Sequence, residues 1–340
     1  MRALATDGET IFGDKHLAGT SQYEFVAYDI ATETTRNLGK AADAAVVSGN
    51  RVVWVVSSIE DSPLASGCQG APCCGDSVVH WQMLTMASTA AQGVVIAKGD
   101  SYRPGLGECA EAMPPLLAFD GESVVYTDGF GAGPTGAGDT ITIIDVRSGK
   151  KIRAIGTTAE VDAISLSGDS LAFLQEVSDR DFNDDELMLV GAAGKATVME
   201  EHASWFAMQD GRAAWIPSNT TSGTAWTKHP LQSPSTRLPD PFQAVPSDNI
   251  PLQWDSLVAV SADAVAWSWP SEPPSVAYWH EGQNVCLVPT PGVPDVGLVY
   301  PVAIDKQWLI WMDGLGLRPE EWQDTDDPTT YAVPISALTC

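Results

Sequence analysis

Ser167-Gly168-Asp169-Ser170-Leu171-Ala172-Phe173-Leu174, followed by Leu187-Met188-Leu189-Val190, is the stretch that decides the fold. Glycine and aspartate tolerate the positive φ that tight hairpins need, so the opening residues read as a turn. Ser170 to Leu174 then reads as a half-buried strand carrying an aromatic, and the second run as a partner strand. The phrase recurs six more times: Asp7-Gly8 before Phe12, Ser48-Gly49-Asn50 before Trp54, Asp120-Gly121 before Tyr126, Asp210-Gly211 before Trp215, Ser261-Ala262-Asp263 before Trp267, and Ile304-Asp305-Lys306 before Trp311. Successive aromatics are 42, 72, 47, 42, 52 and 44 residues apart. Four intervals fall near the ~40–50 residues of one four-stranded propeller blade, and the longer ones imply insertions.

The expectation is an all-β chain forming a single seven-bladed β-propeller over 1–340, with blades at about 1–40, 41–98, 115–156, 157–201, 202–239, 250–290 and 296–340. No segment carries a helical period. The seventh blade reads as incomplete, because only Ala337 to Cys340 follow its third strand at Thr330 to Ile335. Met1 stands inside or at the edge of the first strand. Both oddities predict that residues upstream of Met1, with a secretion signal among them, complete the last blade.

Blade four (Gly168-Asp169-Ser170-Leu171-Ala172-Phe173 with Leu187 to Val190) and blade three (Asp120-Gly121-Glu122-Ser123-Val124-Val125-Tyr126 with Ile143-Ile144-Asp145) resemble the TolB-type, WD-repeat-like propeller repeat. The resemblance is architectural and covers most of the chain. It implies an extracytoplasmic binding scaffold of bacterial type, either periplasmic, secreted or lipid-anchored.

Composition narrows the partners. Eighteen basic against 44 acidic residues give a net charge of −26. Such a surface repels phosphate backbones and anionic lipids, so nucleic acid is not an expected partner. No run approaches the ~18 apolar residues of a membrane span. A monomer is expected, binding a protein or small ligand.

In a propeller, the loop from second to third strand and the connection to the next blade emerge on one face. The long segments 57–76, 97–114, 127–139, 176–186 and 312–329 all belong to that set, which makes this the expected working face. Cys68, Cys73, Cys74 and Cys109 fall on it, while Cys286 and Cys340 fall near the opposite rim. Two readings of the first four are open: a pair of disulfides in an oxidising compartment, or a four-thiolate zinc site. Cys286 with Cys340 would make a third disulfide. Asp179, Asp181, Asn183 and Asp185 place oxygen-bearing side chains at alternate positions, as calcium loops do, though without the EF-hand glycine. A solvated acidic loop is the other reading; no other cofactor is expected. Gly131-Ala132-Gly133-Pro134-Thr135-Gly136 fits the dinucleotide expression but joins two strands, so it reads as a loop. Trp226, Trp254, Trp269 and Trp322 lie outside the repeated position and are candidates for ligand contact.

No catalytic constellation is legible. The leading expectation is a non-catalytic recognition scaffold working through its loop face. The alternative is a calcium-dependent propeller hydrolase or lactonase, which needs a polarising ion and a general base in one pocket.

Overall fold

The computed structural model describes residues 1–20, 22–61, 77–90, 92–103, 114–127, 139–177, 184–191, 194–218, 224–241, 258–269, 275–289, 299–305, 307–313 and 329–338. Their strands form seven antiparallel sheets in chain order, six of four strands and one of three. The blades run over 2–40, 44–103, 117–156, 161–203, 205–237, 258–289 and 299–334. The first strand of each blade touches the first strand of the next, and that of blade seven returns to blade one. The chain is a seven-bladed β-propeller. Among the described residues no helix is long and apolar enough to cross a membrane.

The core lies between blades. On each second strand alternate residues face opposite neighbours, as period-two geometry demands. In blade four, Leu171 and Phe173 pack against Val125 and Ile141 of blade three. Ala172 and Leu174 of the same strand pack on Trp215 of blade five. Trp54, Phe173, Trp215, Trp267 and Trp311 are at most 2% exposed, and each faces the preceding blade. Tyr126, in blade three, is half-buried and meets Trp81 of blade two edge-on at 5.4 Å.

Phe12 breaks the expected equivalence. It is fully buried, but it lies in the cluster with Phe25 and Trp54, facing forward to blade two. Ile11 faces blade seven instead, and Gly13 sits so close to Arg2 O that a Cβ there would come within 2.1 Å of it. The turn in blade one is displaced by one residue relative to the aromatic, and a one-residue shift exchanges the two faces of a strand.

Blade two corrects the reading of the longest insertion. Its second and third strands, Arg51–Asp61 and Ser77–Ala87, stay paired to their ends, with Asp61 opposite Ser77. The outer strand runs on to Arg103. Ser57, Ser58, Glu60 and Asp61 looked like loop because they are polar. They pair in turn with Trp81, His80, Val78 and Ser77, and the β-branched and aromatic residues among these sustain a strand. Val79 is fully buried.

Blade seven has three strands among the described residues, and its third, Thr330–Pro334, runs into a 3-10 turn at Ile335–Ala337. Arg2–Thr6 pairs within blade one. No strand ladder crosses the blade one–seven boundary among the described residues. Across the seam, Ala3, Ile11 and Ile310 form an apolar cluster on which Val302, Trp308 and Met312 pack, the Ala3 N–H donates to Met312 Sδ at 3.1 Å, the Thr330 hydroxyl donates to Met1 O at 2.6 Å, and Gly8 packs on Asp305.

Candidate functional site

On the loop face, two connections between blades are held by a buried aspartate near a strand end. Asp139 precedes the third strand of blade three and is 5% exposed. Its Oδ2 accepts the Val161 N–H at 2.8 Å, clamping the passage into blade four. Asp14, 1% exposed, does the same between blades one and two: Oδ1 accepts the Ala42 N–H at 2.9 Å, and Oδ2 accepts from Arg2 Nη2 at 2.8 Å. Burial outweighs these bonds and pushes the Asp14 carboxyl up to about 6. Neighbouring Asp43 is also pushed up by burial, against the lowering pull of the Ser57 hydroxyl and Arg2.

Asp162, second residue of the inner strand Val161–Ser167, stands beside Glu176 and Asp139. Confinement, then the like charges of Glu176 and Asp139, push its carboxyl up to about 6. The side chain keeps contact with solvent, which screens the repulsion among the three carboxylates. The Glu176 N–H donates to Glu160 O at 3.0 Å and ties this acidic corner together.

Further round, Asp184 accepts from His202 Nδ1 at 2.9 Å and from the Ser218 hydroxyl. The three residue types of a hydrolytic triad thus meet between blades four and five. Their order differs, since the hydroxyl is bonded to the carboxylate and not to the imidazole that would have to take its proton. In blade seven, Asp313 receives the Thr329 N–H at 2.6 Å and the Tyr331 hydroxyl at 2.8 Å, pinning the feet of the 314–328 segment.

Of the expected calcium ligands, Asp179, Asp181 and Asn183 lie outside the described residues. Asp185 opens the strand Asp185–Val190, is 5% exposed and stands opposite Ala203. Among the described residues no three histidine, cysteine or acidic side chains converge as a metal site. Cys68, Cys73, Cys74, Cys109 and Cys340 also lie outside the described residues. Cys286 is buried and disulfide-bonded, and Leu338, two residues before Cys340, packs on the same cluster. Trp254 and Trp322 are likewise outside. Trp269, read above as a ligand contact, is 3% exposed in the core between blades five and six.

One feature of the opposite face escaped the sequence reading. The turn ends of the inner strands enclose an axial cavity of about 450 Å³, lined by main chain and by Asp7, Asp120, Asp210 and Asp305. One oxygen of Asp7, Asp120 and Asp305 is committed to the turn: Asp7 Oδ1 accepts from Glu9 and Thr10, Asp120 Oδ1 from Glu122 and Ser123, Asp305 Oδ1 from Gln307 and Trp308. The repeated Asp-Gly turns signalled these residues. What they did not signal is that every such turn ends an inner strand and therefore meets the axis.

The fold places the chain among β-propellers, and comparison with known proteins agrees. The propeller domain of the Trilobed protease from Pyrococcus furiosus, described as having an open velcro topology, superposes with a TM-score of 0.60 at 11% identity, covering 97% of this chain and 95% of that one. Acylaminoacyl peptidase from Pyrococcus horikoshii gives 0.59 at 12% identity over 99% of this chain, which spans only 51% of the peptidase. TolB from Acinetobacter baumannii gives 0.42 at 11% identity, covering 89% and 76% of the two chains. No family profile and no curated protein matches the chain.

Proposed function

We propose that this propeller is a non-catalytic, extracytoplasmic recognition scaffold of TolB-like type that binds a cationic protein or ligand through its loop face. The observation that carries the reading is the meeting of Asp139, Asp162 and Glu176 where the inner strand of blade four begins, fixed by Asp139 Oδ2 on the Val161 N–H at 2.8 Å and by the Glu176 N–H on Glu160 O at 3.0 Å. Like charges held together on a rigid sheet are stabilised by a positive partner that arrives, and the rest of a −26 chain steers that partner in. The sheet needs no ligand for its own packing, so the face is free to serve recognition. Calcium held by the 179–185 loop, and disulfides pairing the loop-face cysteines and Cys286 with Cys340, belong to the same reading. Chelator-sensitive melting tests the calcium, and free-thiol counting in denaturant tests the disulfides.

Titration with a fluorescent oligolysine peptide tests the main reading. Asp162→Asn combined with Glu176→Gln should weaken binding about fivefold or more, and added salt should weaken it further. Equal binding by the variant overturns the proposal. Turnover of a hydrolysable substrate that one aspartate substitution on this face abolishes would make the protein an enzyme instead.

A further inference from the structure

Four large apolar side chains are exposed among the described residues: Val94, Val95, Ile152 and Val198, between 47% and 66% open to solvent. All four lie on outer strands, and those strands belong to three consecutive blades, two to four. Each lies within three residues of its strand's start, just past the turn from the third strand, so they share one level of the rim. The rim is continuous there. Gly149 of blade three is so close to blade two that a Cβ on it would lie 2.6 Å from Ile96 O, and the Arg153 guanidinium of blade three covers Gly194 of blade four.

The same arc gathers cations. Lys98, Arg147, Lys150, Lys151 and Lys195 are exposed and Arg153 is half-buried, six of the chain's eighteen lysines and arginines. Among the described residues none of the six forms an ion pair. Of the carboxylates in the arc, Asp145 Oδ1 takes the N–H and hydroxyl of Ser148, Asp100 pairs with His80 at 2.7 Å, and Glu200 Oε1 accepts the Glu201 N–H at 3.2 Å. Outer strands elsewhere look different. In blade one Arg36 is spent on Ser88 O and Ala90 O, and in blade five Arg237 is paired with Asp240 at 2.8 Å. Lysine alone guards an edge strand against pairing, but a guarded edge has no use for exposed valine and isoleucine.

We propose that this arc of blades two to four is a second docking surface, for an acidic protein segment that carries apolar side chains. Screening over about 8 Å at physiological salt means that a partner at the rim feels the local charges, six cations against the carboxylates of Asp100, Asp145, Glu200 and Glu201, and not the −26 of the whole molecule. The segment docks through side chains and not by adding a strand. Each outer strand is bulged inside the arc: Ile96, Ile152 and Met199 are skipped in the register, which interrupts the row of open backbone groups.

Fluorescence anisotropy with a short synthetic peptide alternating glutamate and leucine tests this on the full chain. Lys150→Glu with Lys151→Glu, and separately Val94→Ser with Ile152→Ser, should each weaken binding about tenfold, a shift of about 1.4 kcal/mol, with melting temperatures unchanged. A glutamate–serine peptide should bind at least as much more weakly. Asp162→Asn should leave this binding unaltered, which separates the outcome from that of the loop-face reading. Absence of binding, equal binding by the rim variants, equal binding of the glutamate–serine peptide, or preferential binding to phosphatidylglycerol vesicles would each overturn the proposal.

Discussion

Gly8 shows how much can rest on one missing side chain. Its φ is +89°, a region L-residues avoid, and a Cβ there would fall 2.1 Å from Asp305 Oδ2. Both penalties act at the only inter-blade boundary that unites the two ends of the described chain. Gly8→Ala should therefore cost about 1–3 kcal/mol in urea unfolding, while the same change at Gly19, which has a positive φ but open space around it, should cost less. Equal losses at the two sites would show that backbone strain alone matters. Asp14 makes a related point through charge. Removing its partner by Arg2→Met leaves a buried carboxylate unpaired, so the variant should lose about 3 kcal/mol at pH 7 and recover part of it near pH 5, where Asp14 can take up a proton.

At the scale of a strand, the repeated aromatic is a wedge between neighbouring blades. Trp267 is fully buried, and its indole N–H meets no acceptor among the described residues. Trp267→Phe gives up little polar bonding and should cost about 1–2 kcal/mol, whereas Trp267→Ala opens a cavity and should cost about 3–5 kcal/mol. Comparable losses in thermal unfolding would refute the wedge. These wedges made the blades legible, because turn, alternation and aromatic recur at one spacing. Phe12 carried the same signature but faces the other way, since a strand's facing is decided by register, which a turn motif locates only to within a residue. The extension of blade two was hidden for another reason. Polar Ser57, Ser58 and Glu60 are strand only because Trp81, His80 and Val78 lie opposite, and pairing is a property of two segments. The acidic corner was hidden likewise: Asp139 and Asp162 are ordinary in sequence and meet only when adjacent blades do.

For the molecule as a whole, acidity and burial act together. Asp14, Asp43 and Asp162 have carboxyls raised in the folded state, so the folded chain holds more protons than the unfolded chain between pH 4 and 6. Stability must then fall as pH rises through that window, and the growing negative charge adds to the fall. Asp29 and Asp145 are lowered by their turn hydrogen bonds and work in the opposite sense as pH drops, but both are at the surface. The melting temperature should peak in mildly acid buffer, and a monotonic rise to neutrality would contradict this. The seam between blades seven and one has a mechanical consequence. Elsewhere a pull along the chain must strip a sheet, hydrogen bond by hydrogen bond. At the seam, among the described residues, side-chain packing around Ala3, Ile11 and Ile310, the Ala3 N–H on Met312 Sδ, the Thr330 hydroxyl on Met1 O and Gly8 on Asp305 join the two blades without a strand ladder. Tension applied between Met1 and the last strand should open the circle like an unbuttoned collar, with the individual blades still folded, at a force well below the one that unravels a blade.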